Sequence, residues 1–163
     1  MARHGRAIGR RRAGVQTLEL ILAMPVIVVT LVAIVEFGTV QTVLSAVTHA
    51  ATVGAREAGK GATLLEVASS VDGVLEPHGI DVVDGNAPVA GTKVLVETGA
   101  LVEIFGDLSL GCGPPAAPIL NADEVRVTVC IDLDNTPVLD VLCNWGFPFP
   151  GDCFRVSSVV KRE

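Results

Sequence analysis

From Leu20 to Val35 the chain runs for sixteen residues without a charge, Leu-Ile-Leu-Ala-Met-Pro-Val-Ile-Val-Val-Thr-Leu-Val-Ala-Ile-Val. A helix of that length is about 24 Å long, slightly short of the ~30 Å hydrocarbon core of a bilayer. Extension to Val15 on one side and Val43 on the other gives ample length and takes in Glu19 and Glu36. Arg3, Arg6, Arg10, Arg11 and Arg12 all precede the run. By the positive-inside rule they place the N-terminus in the cytoplasm. Everything after about Phe37 is then expected outside, beyond a cytoplasmic (inner) membrane crossed once.

Three readings of this segment compete: a cleaved secretory signal, a plain signal anchor and a specially processed membrane helix. A secretory signal has an apolar core of 7–15 residues followed by a small-residue cleavage site. Here the core exceeds that limit and is followed by Glu36-Phe37-Gly38. The arginines lack the rest of a twin-arginine signal. A plain anchor needs nothing beyond the apolar run itself.

The third reading rests on Gly14-Val15-Gln16-Thr17-Leu18-Glu19. A glycine, four residues and then a glutamate at the mouth of an apolar helix is the processing pattern of prepilins. Cutting after Gly14 removes the basic leader, residues 1–14, and makes Val15 the new amino terminus, with Glu19 the fifth residue of the mature chain. A carboxylate inside the membrane costs about 2.5–3.5 kcal/mol on insertion scales and therefore marks a functional position. In a filament its natural partner is the ammonium group of Val15 on a neighbouring subunit. Such a pair would fix axial register, as a buried polar group does in a coiled coil. Near the edge of the bilayer, Glu19 can alternatively snorkel to the headgroups.

The wider pattern adds Pro25, then Glu36-Phe37-Gly38, then Ala50-Ala51-Thr52-Val53-Gly54-Ala55-Arg56. From about Arg10 to Lys60 the chain resembles the TadE-like family of minor pseudopilins from tight-adherence (Flp-type) pilus systems. The Ser157–Glu163 ending resembles that family more weakly. The resemblance implies a type IV prepilin-like membrane protein cut by a prepilin peptidase. Its partners would be the membrane, other pilin or pseudopilin subunits and the pilus assembly machinery. Adhesion, surface attachment and secretion are the roles it implies, with a cell-surface pilus as the final location.

The residues also speak for themselves. Pro25 removes one backbone donor and favours a local kink, and proline is in any case commoner in membrane helices. Glu36 is expected to mark emergence into the headgroup region. Beyond it, Val40, Val43, Leu44, Val47, Ala50, Ala51, Gly54 and Ala58 recur at spacings of three and four, continuing the helix with one apolar face. The small residues around Gly54 permit another backbone to approach closely. Gly59 and Gly61 offer a stop, so residues 15–60 form one transmembrane and spine helix.

Residues 61–163 are expected to form an extracytoplasmic domain. A helix fits Thr63–Leu75, ended by Glu76-Pro77-His78-Gly79. Strands fit Ile80–Val83, Lys93–Thr98, Leu101–Phe105, Glu124–Asp132 and Phe154–Val160, the fourth with strict alternation of Val125, Val127, Val129 and Ile131. The fold class is α+β: a small antiparallel sheet on a long helical spine, as in pilins.

Cys112, Cys130, Cys143 and Cys153 all lie on the extracytoplasmic side, where disulfides persist. Of the three possible pairings, Cys112–Cys130 and Cys143–Cys153 are expected. No Cys-x-x-Cys spacing suggests zinc, and Asp132-Leu133-Asp134-Asn135 with Asp140 fails the EF-hand template. No metal or cofactor is expected. Trp145, Phe147 and Phe149 share the loop between the last two cysteines; they either complete a small core or form a contact surface.

His49 and His78 lie in no nucleophile or ligand motif, and no catalytic residue is assigned. From residue 61 onward, 15 acidic residues face 5 basic ones, which disfavours nucleic-acid binding. The leading expectation is therefore a non-enzymatic, TadE-like pilus subunit or assembly primer. An anchored extracytoplasmic binding module outside any filament is the alternative, and an enzyme built from residues distant in sequence is a third.

Overall fold

The computed structural model describes residues 8–99, 101–116, 119–132 and 153–163, with side chains from Thr17 onward. One continuous helix, α1, spans Ile8–Gly59, beginning before the expected Val15 and passing through Pro25 without a break. At 1.5 Å per residue its 52 residues extend about 78 Å. Hydroxyl groups along α1 are satisfied within it. Those of Thr30, Thr42, Ser45, Thr48 and Thr52 each donate to the carbonyl four residues earlier, at 2.6–2.9 Å. Such back-bonding lets hydroxyl side chains sit on a helix without an outside partner. The helix closes at Gly61, whose φ of 85° belongs to the left-handed region. Arg56 in the last turn complements the dipole.

The second helix, α2, spans Leu64–Leu75 and is started by a capping box. The Thr63 backbone N–H donates to Glu66 Oε2 at 2.7 Å, and the Glu66 N–H donates back to Thr63 Oγ1 at 3.4 Å. The Thr63 N–H bond, and then the Thr63 hydroxyl donating to the same oxygen at 2.8 Å, hold the Glu66 carboxyl below the usual carboxylate range. Val67, Ala68, Val71 and Leu75 form its buried side. A 3₁₀ turn over Glu76–His78 ends it, with Gly79 left-handed at φ 72°.

The expected strand at 80–83 is replaced by other pairing. Ile80 and Val82 are buried, but the Val82 and Val83 N–H groups donate to the Asp72 carboxylate at 2.7 and 3.1 Å. A side chain of α2 thus takes donors that a sheet neighbour would otherwise need to supply. Only a two-residue hairpin follows, β1 (Val83–Asp84) against β2 (Ala87–Pro88).

The remaining strands are β3 (Thr92–Thr98), β4 (Leu101–Gly106), β5 (Glu124–Asp132) and β6 (Cys153–Lys161). They agree with the sequence expectation to within one residue at either end. The sheet is antiparallel throughout, in the order β4-β3-β5-β6.

One face of the sheet packs on α1 and α2. Val47, Ala50, Ala51 and Ala55 of α1, Val67 and Val71 of α2, and Val94, Val125, Val127 and Val129 of the sheet form a single buried core. Gly54 lies where the three elements cross. A Cβ placed on it would come within 2.8 Å of Val71 Cγ2 and 3.3 Å of Val127 Cγ1. The small residues of the Ala50–Arg56 stretch are therefore occupied by the protein's own α2 and sheet.

Two helical glycines should respond oppositely to substitution. Gly54→Leu overpacks the crossing and should lower unfolding stability by about 1–3 kcal/mol. Gly73, exposed on α2 with nothing within 4 Å of an added Cβ, should gain about 0.5–1 kcal/mol as Gly73→Ala. Denaturant unfolding of the detergent-solubilised protein measures both.

Candidate functional site

The features that bear on function lie on the exterior of α1 and on the far face of the sheet. From Leu18 to Phe37 most apolar side chains of α1 face outward, among them Leu22 at 69% exposure and Val26 at 67%. These twenty residues cover about 30 Å, the thickness of a hydrocarbon core. Among the described residues α1 is the one helix long and apolar enough to cross a membrane, and its most apolar window is not buried in the protein. So much apolar surface is untenable in water and is explained by lipid or by other apolar helices.

Glu19 sits on this surface, exposed, between Leu18 and Leu20. Gly14 and Val15 lie within the helical backbone a little over one turn earlier. Pro25 is inside the exposed apolar run. Glu36 differs from the sequence expectation. It is 1% exposed and lies on the same side of the helix as the half-buried Val29, Val32 and Ala33 and the buried Val43. Gly54 is not on the exterior but at the crossing described above.

The far face of the sheet carries the polar half of the β5 alternation: Arg126, Thr128 and Cys130. An alternating strand commonly leaves that half to solvent. Here all three are at most 2% exposed, because the segment after β4 folds back across the sheet and is tied down along its length. The Lys93 ammonium donates to the Leu110 carbonyl at 3.1 Å. Cys112 is disulfide-bonded to Cys130. Arg126 donates to the Pro115 carbonyl at 2.9 Å and lies 3.3 Å from the Glu97 carboxylate. Arg155 donates to the Gly113 carbonyl at 3.2 Å. Thr128 and Ser157 share a hydroxyl hydrogen bond of 2.8 Å between β5 and β6.

Asp107 forms the corner at which β4 becomes the strap. Its carboxylate accepts from the Ser109 N–H at 2.8 Å, the Ser109 hydroxyl at 2.6 Å and the Gly91 N–H at 3.2 Å. The two Ser109 bonds and then the Gly91 bond hold this carboxyl below the usual carboxylate range. Of these tethers, sequence reading identified only the cysteine pair. Asp107-Leu108-Ser109 is an Asp-x-Ser turn signature and was legible locally, whereas Lys93, Glu97, Arg126 and Arg155 gave no signal before the strap was placed.

Cys112–Cys130 is thus one of the two expected disulfides. For the other, Cys143 lies outside the described residues, as do Trp145, Phe147, Phe149, Asp134, Asn135 and Asp140. Cys153 is half-buried against the Leu95, Cys112 and Cys130 cluster and has no disulfide partner among the described residues. Among the described residues no group of three metal-ligating side chains comes together.

The helix with its early glutamate, its exposed apolar surface and its small-residue crossing can be set beside known proteins. Residues 14–56 match the family of TadE-like protein. The TadE-like match begins at Gly14, ends at Arg56, and contains Glu19, Pro25, Glu36 and Gly54. It covers the candidate membrane span of α1 and the crossing, and none of the sheet or strap. No curated protein and no solved structure matches the chain. Among the described residues, one candidate membrane helix is followed by an α+β domain, an order that fits a single-pass membrane protein.

Two measurements check the strap. Cys112 and Cys130 should appear as one linked peptide under non-reducing conditions. Replacing both with serine should lower stability by about 3 kcal/mol, the chain-entropy value for an 18-residue loop. Because the Asp107 carboxyl is held low in the folded state, its bonds persist above the unfolded pKa. They are lost as pH falls through the folded value. Amide exchange at Gly91 and Ser109 should therefore accelerate on acidification beyond the intrinsic trend, and Asp107→Asn should remove that acid-dependent component.

Proposed function

We propose that this protein is a TadE-like pilus component, cut after Gly14 by a prepilin peptidase and then incorporated into a Tad or type IV-like pilus, or priming its assembly. The observation that carries the reading is Glu19, an exposed carboxylate four residues beyond Val15 within a surface of exposed Leu and Ile side chains. Left alone in hydrocarbon, it costs about 2.5–3.5 kcal/mol. The amino group freed at Val15 of a neighbouring subunit would compensate that charge and set the axial offset between helices. The TadE-like match over 14–56 supports the same reading, as does the apolar surface of α1, which lipid covers before assembly and neighbouring helices cover after it.

On this reading α1 is the assembly element, with the N-terminus in the cytoplasm before cleavage and the sheet domain outside. Pro25 would let the helix adjust locally within a bundle, where packed neighbours satisfy the released backbone carbonyl. The protein acts by docking and not by catalysis, and its partners are the membrane, pilin-like subunits, the peptidase and the assembly machinery.

Glu19→Ala tests the docking role directly. Removing one member of a buried charge pair costs about 3–5 kcal/mol, so incorporation into sheared filaments or assembly complexes should fall about a hundredfold or more. Membrane insertion and the Cys112–Cys130 bond should be unaffected. Undiminished incorporation of the Ala variant would contradict the proposal.

A further inference from the structure

We infer that the sheet domain rests on the bilayer that holds its own helix, through an apolar corner formed by Val89, Ala90 and Leu108. The inference builds on α1 being embedded in a membrane, and on neither cleavage nor filament entry.

The level of the corner follows from how the strands run beside α1. At the top, a Cβ on Gly59 would lie 3.2 Å from the Lys161 carbonyl, and the Glu163 N–H donates to the Gly59 carbonyl at 3.2 Å. Lower down, Gly54 meets Val127, which is paired with Ser158. Helix and β6 therefore descend together. From Lys161 to Phe154 β6 falls about 23 Å at 3.3 Å per residue, which corresponds to about fifteen helical residues and reaches the level of Leu44.

Phe154 shares its row with Ile131 and Thr92. The Asp107 N–H donates to the Thr92 carbonyl at 2.8 Å, so the Asp107–Ser109 turn projects at or below that row. The core of the domain likewise begins at Val43. Only six residues, about 9 Å, separate Val43 from Phe37, the last outward apolar residue of the membrane stretch. The headgroup layer of one leaflet fills roughly 5–8 Å of that distance. No room remains for a stalk, and the lower end of the sheet meets the headgroups.

What that end presents is suited to the contact. Pro88–Ala90 and Gly106–Ser109 enclose a shallow groove of about 380 Å³. Leu108, at its rim, is 74% exposed although it stands at a tightly tethered turn. A rigid, exposed leucine beside Val89 and Ala90 is stabilised by entry into the interfacial zone. The corner lies under β3 and β4, to the side of α1, which packs over β5 and β6. Helix and corner together give the domain two separated supports, restricting its rocking and its rotation about α1.

Tryptophan quenching in the full-length protein tests this. Leu108→Trp, Ala90→Trp, Val28→Trp and Leu101→Trp are each reconstituted into two sets of phosphatidylcholine vesicles, one with chains brominated near the headgroup and one with chains brominated near the methyl end, which reaches the midplane where Val28 lies. Emission is taken as the difference from the parent protein, and the Cys112–Cys130 bond confirms folding of each variant. Leu101 is 71% exposed and level with Val160, at the opposite end of β4. Loss of emission for Val28→Trp, Leu108→Trp and Ala90→Trp, with Leu101→Trp unquenched, is the expected result. If Val28→Trp is quenched while Leu108→Trp and Ala90→Trp stay as bright as Leu101→Trp, the corner contact is overturned and the membrane helix stands. If none of the four is quenched, the membrane reading fails, and the inference with it.

Discussion

A single unbroken helix must satisfy two environments, and the rest of the molecule depends on how it does so. Over Leu18–Phe37 α1 turns apolar side chains outward, as lipid requires. From Val43 onward it turns a narrow face of valine, alanine and glycine inward, as a sheet and a second helix require. The second half works because Gly54 has no Cβ. At that point α2 and β5 both approach to within van der Waals contact. A bulkier residue there would separate the spine from both layers packed on it.

Glu36 stands near the boundary between the two halves. It is buried although it lies below Val43, the first apolar residue of the core. On the same side of the helix Val29, Val32 and Ala33 are half-buried, while Ile34, Val35 and Phe37 are exposed. The two sides of the helix therefore differ in exposure before it leaves the apolar stretch.

Much of this was legible in the sequence because it depends on local periodicity. The apolar run, the small-residue spacing after it, the capping residues Thr63 and Glu66 and the alternation of Val125 to Ile131 each specify an element from within itself. The segments that misled depend on contacts made at a distance. The 80–83 segment looks like a strand, but its donors are claimed by Asp72 of α2, and nothing in either segment announces the other. Arg126, Thr128 and Cys130 look like the polar edge of an alternating strand and are buried by a strap that begins about 20 residues earlier, at Asp107. Cys112 hinted at that strap; Lys93, Glu97 and Arg155 acquire their roles only once it is folded down. Glycine at position 54 was visible as a point of close backbone approach, but short small-residue spacings do not say whose backbone approaches.

The central claim is that α1 becomes an assembly helix when its basic leader is removed. Intact mass of the membrane-extracted protein, from cells with an active prepilin peptidase, tests it most directly. A mature chain that begins at Val15 and has lost all five leader arginines is the expected result. A mass that retains Met1 or Ala2 at the terminus in such cells would contradict it.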